Sequence, residues 1–196
     1  MSDSARFDAA IERFDAANAA DPNSEAFEGH TYPKELLYAQ RMSAWLDKLA
    51  PNASEALRLA VRCQHIQRWH IARRDFPMDR RGYLRWRTTL AKFHATTAGD
   101  ILREVGYDEE TISRVQTLLR KEGLKRDAEV QCLEDVACLV FLESYFADFA
   151  TRHEPDKVID IVRKTWKKMS PQGHAAALAL KLSSEAQALV AKALEA

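Results

Sequence analysis

Three groups of polar residues stand where helical periodicity would place apolar ones, and their types suit acid–base, metal and phosphate chemistry. In VRCQHIQRWHIARR, at about 100° per residue, Gln64 and Arg68 fall in the middle of the stripe marked by Leu57, Ala60, Val61, Ile71 and Ala72. His65 lies on the flank of that stripe. Further along, Arg87 and His94 lie between Tyr83, Leu90 and Ile101. The third group, Gln131, Glu134, Asp135 and Glu143, interrupts the otherwise apolar QCLEDVACLVFLE. Burying a polar group without a partner costs roughly 2–7 kcal/mol, and carboxylates are seldom fully buried unless paired or bound to metal. These residues must therefore meet in a satisfied network or line a shared, water-filled cleft. Gln131, Glu134 and Cys138 share one side of their helix while Asp135, Leu139 and Leu142 look another way, so one of the adjacent acids is expected to be structural.

Charge is segregated along the chain. Residues 58 to 92 hold nine Arg and one Lys against Asp75 and Asp79, a local balance of +8, whereas the first 57 residues balance at −5 and the remainder at −3. Basic and acidic residues both total 29, so no chain-wide field recruits nucleic acid or anionic lipid, and any basic surface is local. Arginine in place of lysine favours bidentate recognition of phosphate or carboxylate, and Trp69 and Trp86 interleave with the arginines where a base could stack. The same arginines could instead pair with the acidic remainder of the chain. Candidate substrate contacts are Gln64, Arg68, Trp69, Arg80, Tyr83, Arg87 and Gln131. The expected partner is a phosphate-bearing small molecule or nucleotide, with RNA as a second possibility.

The elements that must position these groups read as helices throughout. Apolar residues recur at three and four, and no stretch alternates convincingly at two. Ser4 opens a first helix carrying Phe7, Ile11 and Phe14, which ends in the segment from Asp21 to His30. Pro33 suits the first turn of a second helix, ending at Pro51, and Ser54 caps a third, running to about Arg73. After a loop from Arg74 to Gly82, a fourth helix runs from Tyr83 to Val105. Gly106 ends it, and Asp108 starts a fifth that Gly123 closes. Asp127 to Ala150 reads as a central buried helix, Pro155 starts one reaching Lys168, and one or two more follow Ser170, with Ser183 as a cap. The expectation is an all-α, compact single-domain bundle of about seven to nine helices, with a core over 31–150 and a C-terminal helical extension over 155–196. Three cysteines inside apolar patterns do not form a disulfide framework, and no signal peptide or membrane-length apolar run is seen, so a cytoplasmic protein with no membrane partner is expected.

The segment QHIQRWHIARRDFPMDRRGYLRWR followed by LEDVACLVFLE resembles a family defined only as a domain of unknown function, over most of the chain. Within that resemblance, three features in succession are similar to the HD-domain hydrolase superfamily: a His-bearing helix, a GY-led helix ending near a His, and a GYD-capped helix before an acid-bearing one. In that superfamily a His, an adjacent His-Asp pair and a distant Asp ligate a divalent metal that activates water on a phosphate ester. The resemblance implies His65 for the first member of the pair, Asp135 for the distant Asp, His94 for a further ligand and His30 for the first His. The cofactor would be Mn, Fe, Zn or Ni, and the catalytic set His65, Glu134 and Asp135. Ile66 stands where the superfamily has Asp, and Lys121 near where it often has a metal-binding His. Two functions follow: a metal-dependent phosphohydrolase, or a degenerate, non-catalytic scaffold binding an anion, nucleotide or RNA.

Overall fold

A computed structural model describes residues 3–194. Among these the chain forms ten α-helices, slightly more than expected, and one small hairpin. In order they are α1 (Asp3–Ala19), β1 (Ser24–Phe27), β2 (His30–Pro33), α2 (Lys34–Leu49), α3 (Glu55–Arg62), α4 (Arg80–Val105), α5 (Glu109–Leu119) and α6 (Ala128–Val140), then α7 (Phe146–Thr151), α8 (Pro155–Lys168), α9 (Pro171–Leu178) and α10 (Ser184–Leu194). No helix among the described residues is long and apolar enough to cross a membrane, and Cys63, Cys132 and Cys138 are free thiols.

The core runs between α2 and α6, flanked by α3 and α5, with α1 and α4 closing one side and α8 and α9 leaning on α6. Phe14, Met42, Leu46, Leu59, Ile66, Ile112, Leu133, Leu139 and Phe146 are fully buried there. Caps read from sequence stop and start the helices as their chemistry requires. Ser54 accepts from the Leu57 amide, Asp108 from that of Thr111, and Gly106 ends α4 in the left-handed conformation.

Three expectations are corrected. The segment after α1 is a two-stranded antiparallel hairpin, because Glu28 and Gly29 both take positive φ and close a two-residue turn that matches strand twist. Arg41 of α2 holds it, with Nη1 2.5 Å from Glu25 Oε1 and the guanidinium 4.8 Å above the Phe27 ring. The third helix ends at Arg62 instead of reaching Arg73: a run of turns follows, with Gln67 left-handed at φ 49°, then short 3₁₀ segments over Arg68–His70 and Arg73–Asp75. The reversal is held from outside, by buried Asn18 at the end of α1, whose Oδ1 accepts the Gln67 amide at 2.9 Å. Finally, the segment read as one central helix is divided by a π-helical turn over Phe141–Tyr145, which separates α6 from α7. The turn aims Glu143 at Trp45, whose Nε1 donates to Oε2 at 2.6 Å, and sets the Tyr145 hydroxyl 2.9 Å from Arg41 Nη1.

Candidate functional site

A cavity of about 360 Å³ opens where the turns after α3, the middle of α4 and the end of α5 meet. Gln64, His65 and Arg68 line it from the first, Arg87, Thr88, Ala91, Lys92 and His94 from the second, and Leu119 to Glu122 from the third. Gln64, His65, Arg68, Arg87 and His94, read separately from sequence, are thus brought together. The start of α4 is set by a close approach: a Cβ on Gly82 would lie 2.0 Å from the Pro77 carbonyl oxygen, so only glycine lets the preceding loop pack there. Asp79 caps the helix, its Oδ1 accepting the Gly82 amide at 2.6 Å.

Arg68 is held in the wall by two rings. Its guanidinium lies 4.8 Å over the Trp86 ring, and Trp86 is itself fixed by donating Nε1–H to the Ile71 carbonyl at 2.9 Å. Arg68 Nη1 is 3.2 Å from His65 Nε2. Guanidinium can only donate, so His65 Nε2 accepts and Nδ1 carries the proton. That Nδ1 is 3.4 Å from Glu35 Oε2, and Tyr38 stacks on the His65 ring at 4.2 Å. The order Arg68, His65, Glu35 therefore runs from the cavity wall into the core. Burial, with the Arg68 charge next, holds the His65 imidazole well below its ordinary range. Burial likewise pushes the Glu35 carboxyl up to about 7, against the opposing pull of Arg68.

His94 is 3% exposed and neutral for the same reason: burial, then the neighbouring His65, lowers it to about 3. Its Nδ1–H donates to the Ile66 carbonyl at 2.8 Å, while its Nε2 and the Gln64 Oε1 are buried without a hydrogen-bond partner among the described residues. Lys121, left-handed at φ 55° beyond α5, ion-pairs with Glu134. Burial raises the Glu134 carboxyl, but Lys121, Lys168 and Arg87 more than offset this and leave it below the usual range. Arg87 donates to the Tyr83 hydroxyl at 3.2 Å. Neither Arg68 nor Arg87 has a carboxylate within ion-pair distance among the described residues.

The other expected site residues lie elsewhere. Asp135 accepts the Ser170 amide at 2.8 Å, the Ser170 hydroxyl at 2.5 Å and Gln131 Nε2 at 2.9 Å, which locks α6 to the junction of α8 and α9. Gly173 packs against it so closely that a Cβ would meet the carboxyl carbon at 2.8 Å. Gln131 also donates to the Lys168 carbonyl, so both residues act as a structural tie. His30 sits exposed on the hairpin beside Tyr32, Trp69 stands against His70, and Arg80 is the exposed first residue of α4. The set expected to hold a divalent metal, His30, His65, His94 and Asp135, is not assembled, and no group of three or more His, Cys, Asp or Glu among the described residues forms a metal-binding cluster. Glu35, Tyr38, Lys92 and Arg120, by contrast, belong to the site or its support and were not singled out by periodicity.

Residues 8–190 match the model of a family described as "Domain of unknown function (DUF4202)". No curated protein and no solved structure matches the chain.

Proposed function

The chain belongs to the DUF4202 family, and we propose that in this member the cavity binds a phosphate-bearing small molecule, without metal-assisted hydrolysis. One observation carries the reading: Arg68 and Arg87 line the same recess, and neither has a carboxylate within ion-pair distance among the described residues. Two guanidinium groups without a carboxylate in contact repel each other, and an anion between them removes that cost while accepting charge-assisted, bidentate hydrogen bonds. The recess lies within the range of about 300–1,000 Å³ common to small-molecule sites, and Lys92 adds donors at its edge, while Arg120 there pairs with Glu122. Catalysis through a metal has less support, since the Asp135 carboxylate is spent on Ser170 and Gln131 and both ring nitrogens of His65 are engaged.

The test is calorimetric titration with inorganic phosphate and with a nucleoside monophosphate, on the parent, Arg68→Ala and Arg87→Ala. Saturable binding, weakened about ten-fold or more by either substitution, is expected. Equal binding in all three proteins would sink the reading. Phosphate release from the monophosphate is followed in parallel with added Mn, Fe, Zn or Ni. Metal-dependent turnover lost in His65→Ala would replace this reading with the hydrolase one.

A further inference from the structure

Beside the cavity, the outer face of α4 carries a second, shallower groove lined by Arg81, Leu84, Arg85, Thr88, Thr89 and Lys92. Thr88 and Lys92 belong to both, so groove and cavity are continuous across one helix. Arg81 and Arg85 are one turn apart, about 6 Å along the axis, and Lys92 follows about 10 Å further on. None of the three has a carboxylate within ion-pair distance among the described residues, whereas Arg58, Arg62, Arg103 and Arg114 all do. Leu84, in the groove lining, is 54% exposed, and Tyr83, outside both linings, is 42% exposed beside Arg87. The molecule thus offers a recessed cationic pocket that continues into a row of cations with the apolar side chain of Leu84 among them.

We propose that the cavity and the α4 groove together take the end of a single-stranded polynucleotide, its terminal phosphate in the cavity and the following phosphodiesters along Lys92, Arg85 and Arg81 in turn. This rests on the reading of the cavity as a phosphate site and extends its ligand to a repeating anion. Cations about 6 and 10 Å apart along one helix face meet successive charges of a chain that carries one charge per repeat, and exposed Leu84 in the groove offers an apolar surface against which a base packs. An anionic membrane presents its charges in a plane, which cannot enter a recess walled by three segments of chain. A run of carboxylates such as polyglutamate carries no ring to lie on Leu84.

The experiment measures binding of a nucleoside monophosphate and of oligonucleotides of about six residues, ribo and deoxy, with and without a terminal phosphate. Each is titrated at two salt concentrations into the parent and into Arg81→Ala/Arg85→Ala, whose altered residues are exposed and lie outside the cavity lining. Expected are a gain of about ten-fold or more from monophosphate to end-phosphorylated oligomer, a steeper salt dependence for the oligomer, and loss of that gain in the double variant with monophosphate binding unchanged. The sugar that binds more tightly identifies the nucleic acid. The inference is overturned if length adds nothing, if the double variant binds the oligomer like the parent, or if removal of the terminal phosphate has no effect. It is overturned equally if polyglutamate or phosphatidylserine vesicles bind as tightly as the oligomer and with the same dependence on Arg81 and Arg85. Absence of monophosphate binding is a separate result, and refutes the underlying phosphate site.

Discussion

Glu35 Oε2 lies 3.4 Å from His65 Nδ1, on the side of the imidazole opposite Arg68, so this buried carboxyl acts on the Arg68 guanidinium through a neutral ring. Glu35 is also within the field of Asp21, Lys34 and His94, and burial is the largest influence on it, pushing its carboxyl up to about 7. Below that pH it is neutral and Arg68 is uncompensated. Above it, the carboxylate offsets part of the Arg68 charge. Affinity for an anion of fixed charge such as sulfate is expected to fall by about three- to ten-fold as pH rises through about 7, and Glu35→Gln to remove the fall. Titration calorimetry from pH 6 to 8 checks this, roughly spanning the carboxyl's transition. An identical slope in parent and variant would refute it.

Stability carries two opposing proton linkages. The Glu35 carboxyl is raised on folding from 4.5 to about 7, so the native state holds a proton that the unfolded chain has released, and stability is lost as pH rises through that window. His94 is lowered from 6.5 to about 3, and His65 is lowered too. Their unfolded forms bind protons that the native state does not, so stability is gained as pH rises towards 6.5. Glu35→Gln deletes only the first linkage. Its melting temperature is expected to exceed that of the parent above pH 7 and to converge with it near pH 4.5, as thermal unfolding followed by circular dichroism across that range would show.

Asp135→Ala is expected to destabilise the protein by about 3 kcal/mol, since two Ser170 donors and Gln131 lose a buried charged acceptor. Denaturant unfolding gives the cost. Phosphate affinity measured on the folded variant should equal that of the parent, because Asp135 does not line the cavity. A specific loss of binding would return Asp135 to the site.

Gly82→Ala places a methyl group where the Pro77 carbonyl oxygen now sits, and the loop or the helix start must move. A loss of about 1–3 kcal/mol is expected, with weaker phosphate binding because Arg87 follows little more than one turn later. Unfolding and titration of the same preparation separate the two effects.

Much of the site was legible because polar residues interrupted apolar stripes: Gln64, His65, Arg68, Arg87 and His94 all line the cavity. The helix assumed to carry the first three was not. It ends at Arg62, and the left-handed bend at Gln67 depends on Asn18, a contact across 49 residues that no local pattern encodes. Glu35 escaped notice because an acid in a first helical turn reads as an ordinary favourable dipole contact. Lys121 reaches the cavity from a left-handed turn, where periodicity says nothing. Periodicity set Glu134 and Asp135 on different sides of their helix and marked one of them as structural without saying which. The partner Ser170, supplied by the start of α9, identifies Asp135 as the structural acid.

The hydrogen bond from the Gln67 amide to Asn18 also sets how small the molecule can be made. The first helix supplies none of the side chains around the cavity, so a protein trimmed at Ala20 would keep every one of them. It would nonetheless lose the acceptor that holds the bend between His65 and Arg68. The smallest fragment that keeps the bend therefore begins upstream of Asn18, and α1 serves as an internal splint for a recess it never touches.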